Sequence, residues 1–217
     1  MNVFLNPEVA LSYDHYYETE EGQMVDILEK QVISSFVEKI PGGRVLEVGC
    51  GTGHWTKYLV DSLKFSEIIA IDTSEAMLEI ARRKITDKVR FDLADAEKLS
   101  FNNNDFDVVV AITVMEFVSN IPSAFGEIYR VLRPGGHFVG GFLNQNSMLG
   151  KHKDESEIFR TAHFFTETEL DSYLSKFGQP ILKQCVHYSD DYKILDGTPL
   201  ASKYQGAFIG VFVKKIN

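Results

Sequence analysis

The chain has 217 residues, of which 44% are hydrophobic and 24% are charged, a composition typical of one globular domain. Acidic residues outnumber basic residues by 31 to 22, and the net charge of −9 provides no general attraction to nucleic acid or to an anionic membrane. The two cysteines, Cys50 and Cys185, form no CxxC pair and predict neither a disulfide framework nor a zinc site.

No targeting or membrane segment is recognisable in the sequence. The first residues lack the basic and long apolar regions of a signal peptide. The longest apolar run, residues 108–115, is too short to span a membrane. We therefore expect a cytoplasmic protein that folds as a single domain over residues 1–217.

From about residue 44 onward, β-branched runs alternate with segments of helical periodicity. Strands are predicted at residues 44–48, 67–71, 88–93, 106–113, 137–143, 181–188 and 207–213. Helices are predicted at residues 23–40, 54–63, 75–84, 125–132 and 167–177. This alternation predicts an α/β fold with a doubly wound, mostly parallel sheet. No helical pattern separates the last two strands, so an antiparallel pair is expected at one sheet edge.

The most informative segment is E-V-G-C-G-T-G, residues 47–53, in which a strand leads into a glycine-rich turn that opens a helix. Glycines permit positive φ and let a ligand approach the backbone, and the amides of a helix start favour a carboxylate or a phosphate. Asp72 follows at the end of the second strand, where a carboxylate can accept hydrogen bonds from both hydroxyls of a ribose. The pattern predicts a site for a nucleotide-type cofactor.

Two classes of cofactor fit such a site. A nicotinamide dinucleotide normally uses G-x-G-x-x-G, whose third glycine would fall where this chain has His54. The spacing is instead G-x-G-x-G, with Glu47 two residues before Gly49, and it resembles motif I of the class I S-adenosylmethionine-dependent methyltransferases. Residues 71–78, 93–99, 106–110 and 131–136 resemble later motifs of that family in the correct order, so that the resemblance covers about residues 43–143.

The resemblance implies a Rossmann-like, seven-stranded methyltransferase fold with S-adenosyl-L-methionine as cofactor and S-adenosyl-L-homocysteine as product. It places Asp72 on the ribose, Met77 beside the adenine, and Asp95 and Ala96 at the adenine edge, while Glu47 can attract the methionine ammonium. The predicted cofactor-binding residues are Glu47, Gly49, Cys50, Gly51, Thr52, Gly53, Asp72, Thr73, Met77, Asp95, Ala96 and Ile112.

The acceptor is predicted mainly by elimination. Methyl transfer is an in-line displacement that requires alignment, and a base is needed only when the nucleophile must lose a proton. No N-P-P-[YFW] motif follows the fourth strand, and neither cysteine follows a proline, which disfavours the family's amino-group and cytosine methylases. We expect a small-molecule acceptor. Candidate catalytic residues are Tyr17, Glu116, His152 and His163, and no histidine pair has metal-ligand spacing, so no metal is predicted.

Four segments divide the predicted domain. Residues 1–40, which contain the pair Tyr13-Asp14, either form a lid over the cofactor or simply attach to the domain. Residues 41–143 form the cofactor-binding core, residues 144–165 form an acceptor-binding insertion, and residues 166–217 complete the fold.

Other functions remain open at this stage. The domain could bind S-adenosylmethionine without catalysis, as a sensor or scaffold, because binding and catalysis are separable. Methylation of a tRNA or protein and an NAD-dependent oxidoreduction are less favoured alternatives. No nucleic acid or membrane partner is expected, and the sequence does not encode the oligomeric state.

Overall fold

The computed structural model describes residues 3–62 and 65–216. Within them one sheet is formed by β1 (Arg44–Val48), β2 (Glu67–Asp72), β3 (Val89–Leu93), β4 (Phe106–Ile112), β5 (Leu132–Leu143), β6 (Ile181–Cys185) and β7 (Phe208–Lys214). The helices are α1 (Pro7–Ser12), α2 (Glu20–Val37), α3 (His54–Ser62), α4 (Glu75–Lys84), α5 (Ile121–Val131), α6 (Met148–Lys151) and α7 (Glu167–Leu174). Leu63, the last residue of the predicted helix 54–63, lies outside the described residues.

The strand order is β3-β2-β1-β4-β5-β7-β6. Strands β1 to β5 are parallel, whereas β7 runs antiparallel to both of its neighbours. The predicted fold class is therefore confirmed, including the antiparallel pair at one edge. Helices cover both faces of the sheet, which explains why β4 is an almost continuous apolar run.

The chain order of the strands reverses between β1 and β4. From β1 the sheet is built outward to β3 on one side, and from β4 it is built outward to β5 on the other. Loops that leave the carboxyl ends of these two central strands diverge in opposite directions and leave a crevice between them. This is the edge at which the glycine-rich turn and the segment containing Glu116 both lie.

Local capping explains where two helices begin. Ser74 caps α4 as predicted, since its hydroxyl accepts a hydrogen bond from the amide of Met77 at 3.4 Å. Helix α2 begins three residues earlier than predicted because the hydroxyl of Thr19 accepts the amide of Gly22 at 3.0 Å. It ends at Val37 rather than at residue 40.

Strand β6 ends at Cys185, and the predicted extension to residue 188 is wrong. Val186 has a φ of 61°, which is incompatible with an extended strand. The amides of Val186 and His187 donate to the carboxylate of Asp196, at 3.1 and 2.5 Å, instead of to a neighbouring strand. Strand β5 is longer than predicted and begins at Leu132 instead of at residue 137. Leu132 pairs with Phe106 of β4, and a register shift separates this pair from the rest of the ladder.

Candidate active site

A cavity of about 300 Å³ lies at the carboxyl ends of the central strands. Seven of the twelve predicted cofactor residues line it: Gly49, Gly51, Asp72, Thr73, Met77, Asp95 and Ala96. The other five are buried in the elements that form its wall: Glu47, Cys50, Thr52, Gly53 and Ile112. The sequence motifs therefore lie together around one cavity.

The turn after β1 depends on glycine at two positions. Gly49 has a φ of 71°, and a Cβ there would lie 2.1 Å from Cγ2 of Val114. Gly51 has a φ of 53° and faces the cavity, with no atom within 4 Å of the position of a Cβ. The first glycine therefore permits close packing, and the second leaves free space beside the backbone.

Asp72 connects the glycine turn to the start of α4. Its Oδ2 accepts the amide of Gly51 at 2.8 Å, and its Oδ1 accepts the amide of Ser74 at 2.8 Å. Burial raises the pKa of this carboxyl, and the backbone hydrogen bonds partly offset the effect. Each oxygen has a further lone pair that can accept a hydroxyl from a ligand in the cavity.

Glu47 carries a buried carboxylate at the carboxyl end of β1. Within the described residues its Oε2 has no hydrogen-bond partner, and the residue is only 3% exposed. Burial raises its pKa to about 7; the neighbouring hydroxyl of Thr56 opposes this shift, and the nearby charge of Asp72 adds to it. An unpartnered carboxylate oxygen at this position fits a cationic group, such as the ammonium of the methionine moiety of S-adenosylmethionine.

The N-terminal segment forms part of the cavity wall. Phe4, Leu5 and Tyr13 line the cavity, and the ring of Phe4 packs edge-on against Phe117 at 4.7 Å. Asp14 accepts a hydrogen bond from Thr52 of the glycine turn at 2.7 Å and also forms an ion pair with Lys84 of α4. Two contacts thus attach this segment to the elements that carry the cofactor motifs.

Among the candidate catalytic residues, Tyr17 lies beside the cavity wall, next to Tyr13. Its ring stacks on His54 at 3.7 Å, and Nε2 of His54 lies 2.7 Å from Oδ1 of Asp26 on α2. Burial raises the pKa of Tyr17 well above its usual value. Tyr17 is therefore protonated at neutral pH and supplies an aromatic face rather than a phenolate.

Glu116 is the candidate that the structure places deepest. It is 2% exposed, its Oε1 accepts the amide of Leu143 at 2.7 Å, and its Oε2 has no partner in the described part of the chain. Burial raises its pKa to about 8. The neighbouring residue Phe117 lines the cavity.

The two candidate histidines do not line the cavity. His152 pairs with Glu155, three residues further along the chain, at 2.9 Å. His163 lies 3.2 Å from Glu169 at the start of α7. Both side chains are about 40% exposed or more, so they are partly solvated residues of local ion pairs.

Sequence reasoning missed Glu29. It occupies the buried stripe of α2 between Val25 and Ile33, four residues from each, and is 8% exposed. Burial, together with the charges of Asp26 and Glu116, raises its pKa to about 8. Its i, i+4 spacing from two apolar residues was a readable signal. The cavity-lining residues outside the sequence motifs carried no comparable signal: Phe4, Leu5, Thr113, Val114, Phe117, Val118 and Ser119.

Residues 3–62 and 65–216 contain no group of three histidine, cysteine, aspartate or glutamate side chains that could hold a metal ion. The predicted absence of a metal stays a prediction. None of the helices in the same residues is long and apolar enough to cross a membrane.

Comparisons with known proteins agree with this geometry. Residues 46–140 match a family described as "Methyltransferase domain". An uncharacterised protein of Methanocaldococcus jannaschii is 29% identical over the full length of both chains. The demethylmenaquinone methyltransferase of Symbiobacterium thermophilum is 40% identical, over 46% of this chain and 42% of that protein. The structure of the N-methyltransferase NodS of Bradyrhizobium japonicum, solved with S-adenosyl-L-homocysteine, aligns with this chain over the full length of both. The TM-score is 0.73 and the sequence identity is 16%.

A doubly wound sheet with a glycine turn and an acidic residue at the ends of adjacent strands defines a nucleotide-binding α/β protein. Among such proteins, the domain match and the relatives named above indicate a methyltransferase. The chain carries a match to the methyltransferase domain over residues 46–140 and shares its fold with S-adenosylmethionine-dependent methyltransferase structures, which supports an enzyme of that kind. The resemblance seen in the sequence motifs is thereby confirmed. The match to the Symbiobacterium protein spans less than half of its length, so that protein's acceptor does not transfer with it.

Proposed function

We propose that the protein transfers the methyl group of S-adenosyl-L-methionine to a small-molecule acceptor. The observation that carries this proposal is that one cavity is lined both by the cofactor motifs and by the N-terminal segment. Its volume of about 300 Å³ lies at the lower end of the range for small-molecule sites. A concave site of this kind, rather than an extended surface, favours a small acceptor over a folded RNA or protein.

In this proposal the twelve predicted residues hold the cofactor, which supplies an activated methyl group on a sulfonium when it is bound. Asp72 binds the ribose hydroxyls and Glu47 attracts the ammonium. Asp95 and Ala96 meet the adenine edge, beside Met77. Thr52, Cys50, Gly53 and Ile112 act from the wall by shaping it. The release of S-adenosyl-L-homocysteine completes the cycle.

The acceptor is proposed to enter between the N-terminal segment and residues 144–165. The second segment reaches the site through its backbone, since the amide of His163 donates to the carbonyl of Glu116 at 2.8 Å. Phe117, which lines the cavity, also packs against the cluster formed by Leu143, Ala162 and Phe164. The N-terminal segment and residues 144–165 are thus both connected to residues that line the cavity.

We propose a cytoplasmic enzyme that acts without nucleic acid or a membrane, and the net charge of −9 supports the absence of those two partners. A sensor or scaffold that binds the cofactor without turnover is the main alternative, and an NAD-dependent oxidoreductase is a weaker one. These alternatives differ in which ligand binds and in whether any acceptor is consumed.

Parallel calorimetric titrations with S-adenosylmethionine, S-adenosylhomocysteine and NAD test the cofactor part of the proposal. We expect micromolar binding of the first two and none of NAD. Binding of NAD alone would overturn the proposal. Methyl transfer to any member of a broad small-molecule panel would separate an enzyme from a sensor, whereas cofactor binding with no turnover and a stable protein partner would favour the sensor.

A further inference from the structure

Two groups of residues line the cavity, and they differ in chemistry. The first group belongs to the predicted cofactor motifs and includes the carboxylates of Asp72, Asp95 and Glu97. The second group comes from the N-terminal segment and from residues 113–119, which follow β4, and the proposed function leaves it to the acceptor. We call this second group the acceptor wall, and most of its side chains are apolar or aromatic: Phe4, Leu5, Tyr13, Val114, Phe117 and Val118.

The carboxylates of the first group already hold backbone amides of the cavity. Both oxygens of Asp72 do so, as described above. Oδ1 of Asp95 accepts the amide of Glu97 at 2.9 Å, and Oε1 of Glu97 accepts the amide of Asn120 at 2.8 Å. The negative groups of the cavity therefore belong to the cofactor motifs and help to hold their backbone in place.

The acceptor wall carries no formal charge. In the part of the chain that the structure describes, no lysine, arginine or histidine lines the cavity, and no aspartate or glutamate belongs to this wall. Burial raises the pKa of Tyr13, so its phenol is uncharged at neutral pH. Transfer of an ionised group to a surface without a charged partner costs free energy. This wall therefore favours a ligand group that is uncharged.

Three aromatic rings of the wall contact one another. The ring of Phe4 packs edge-on against Phe117, with centroids 4.7 Å apart and an angle of 88° between the planes. It also packs edge-on against Tyr13, at 5.8 Å and 83°. Aromatic rings attract a further ring in edge-to-face or offset geometry beyond the contribution of buried area alone. The three rings thus form a surface that suits an aromatic ligand.

The backbone after β4 turns sharply where the wall begins. Thr113 lines the cavity and has a φ of 47°, an uncommon conformation for a β-branched residue. Its amide donates to the carbonyl of Gly141 on β5 at 2.8 Å. Ser119, at the end of the same turn, also lines the cavity. A backbone strained in this way persists only where the surrounding structure holds it, and such positions cluster at ligand sites.

We propose that the part of the acceptor that enters the cavity is uncharged and carries an aromatic ring, which packs against Phe4, Tyr13 and Phe117. This inference rests on the methyltransferase function proposed above and names the substrate class of the same site. Phe117 is assigned the selection of the ring. It is held by the ring of Phe4 and by the apolar cluster that includes Leu143.

The uncharged wall also limits the chemistry of the reacting atom. Tyr13 is protonated, and the hydroxyls of Thr113 and Ser119 are not bases, so the reacting atom uses a lone pair that it already carries. An aromatic nitrogen and a thioether sulfur are atoms of this kind. The atom forms a bond to the methyl carbon as the carbon–sulfur bond breaks, and that electron pair stays on the sulfur of S-adenosyl-L-homocysteine. The positive charge moves to the methylated atom, which gives any proton that it carries to water.

The test is a ligand-observed NMR titration of the full-length protein at pH 7, saturated with S-adenosylhomocysteine. The probes share one skeleton and differ in charge: 2-phenylethanol is neutral, phenylacetate is an anion and 2-phenylethylamine is a cation. A fourth probe, 2-cyclohexylethanol, is neutral but lacks the aromatic ring. We expect 2-phenylethanol to bind roughly tenfold or more tightly than either ion, and roughly two- to tenfold more tightly than 2-cyclohexylethanol.

Phe117→Leu tests the assignment of the ring contact, because leucine retains an apolar side chain but removes the aromatic ring. The variant should bind 2-phenylethanol and 2-cyclohexylethanol with nearly equal affinity. Phe159→Leu is the matched control: Phe159 packs against the same cluster as Phe117 but does not line the cavity. It should keep the preference for the aromatic probe. Thermal unfolding of each variant verifies that it is folded.

Ser119→Lys tests the role of charge at an exposed position of the acceptor wall. The added ammonium should raise the affinity for phenylacetate, relative to 2-phenylethanol, by roughly fivefold or more. Ser202→Lys places the same charge at an exposed position that does not line the cavity, and it should leave this ratio unchanged.

The outcomes separate the two proposals. Failure of the wild-type protein to bind S-adenosylhomocysteine would contradict the proposed function itself. When S-adenosylhomocysteine binds normally, three results overturn only the acceptor inference: 2-phenylethanol does not bind, either ion binds as tightly as 2-phenylethanol, or Phe117→Leu keeps the preference for the aromatic ring. Preference for the neutral aromatic probe that is lost in Phe117→Leu and kept in Phe159→Leu supports the inference.

Discussion

The carboxylate of Asp14 accepts a hydrogen bond from the hydroxyl of Thr52 at 2.7 Å, and this contact joins the N-terminal segment to the glycine turn across 38 residues of sequence. The same carboxylate pairs with Lys84 at the end of α4. One side chain therefore connects a segment that lines part of the cavity to the glycine turn and to α4, both of which carry cofactor motifs. Because Tyr13 lines the cavity, movement of this segment would change access to it.

Asp14→Ala should speed the release of bound S-adenosylhomocysteine by roughly fivefold, because one partly buried hydrogen bond and one partly exposed ion pair together contribute about 1 kcal/mol. Stopped-flow displacement measures the rate directly. Glu8→Gln, an exposed acidic residue on α1, is the control and should leave the rate unchanged. An unchanged rate in Asp14→Ala would show that the segment does not limit cofactor release.

Asp72→Ala should weaken binding of S-adenosylhomocysteine by roughly 10- to 150-fold, the equivalent of about 1.5–3 kcal/mol for hydrogen bonds to a charged group. Asp72→Asn keeps an acceptor for one backbone amide, so it separates ligand contacts from support of the turn. Asp61→Ala on the exposed face of α3 is the control. Titration calorimetry of the three variants checks the prediction, and unchanged affinity in Asp72→Ala would remove this residue from the site.

The two cavity glycines should respond differently to alanine. Gly49→Ala introduces a Cβ 2.1 Å from Val114 at positive φ and should destabilise the fold by about 2–4 kcal/mol. Gly51→Ala also has positive φ but meets no atom within 4 Å, so it should cost only about 1–2 kcal/mol. Its methyl group projects toward the cavity and should weaken cofactor binding instead.

Gly197→Ala provides the control for that comparison, since Gly197 has a φ of 81° with no atom within 4 Å and does not line the cavity. Urea unfolding should rank Gly49→Ala as the least stable variant, with Gly51→Ala and Gly197→Ala similar to each other. Only Gly51→Ala of that similar pair should lose affinity for S-adenosylhomocysteine. Equal stability of all three would contradict the packing role of Gly49.

Seven of the predicted cofactor residues line one cavity because they belong to motifs that are local in the sequence. Gly49, Gly51 and Asp72 each stand at the end of a strand, and parallel strands bring such ends to one edge. The other side depends on packing between distant segments. Glu116, which follows β4, accepts the amide of Leu143, 27 residues further along the chain, and no local pattern indicates that contact.

The two candidate histidines also show that a sequence pattern does not determine where a side chain points. His152 and His163 are candidates from the sequence because they lie in an irregular segment whose composition is typical of a functional loop. Each is instead paired with a nearby glutamate, and neither lines the cavity. Composition identifies a segment near a site, whereas the orientation of a single side chain is decided by contacts that the sequence does not display.

Three buried carboxyls make stability depend on pH. Burial raises the pKa of Glu47 to about 7 and the pKa values of Glu29 and Glu116 to about 8, all from an ordinary value of 4.5. Between 4.5 and 8 the folded state therefore binds more protons than the unfolded state. The stability that these three groups contribute is fully present below pH 4.5, decreases as the pH rises above that value, and is lost once the pH has passed 7 and 8.

We expect the free energy of unfolding of the ligand-free protein to fall by about 1–3 kcal/mol between pH 7 and pH 8.5, at up to about 1.4 kcal/mol per proton and pH unit. Starting at pH 7 keeps His137, whose burial lowers its pKa and acts in the opposite direction, outside the measured range. Urea unfolding across this range measures the slope. Glu29→Gln should flatten it and be more stable than the wild type at pH 8.5, whereas the exposed Glu38→Gln should retain the wild-type slope. A wild-type protein of constant stability over this range would show that these carboxyls are ionised in the fold and already paired.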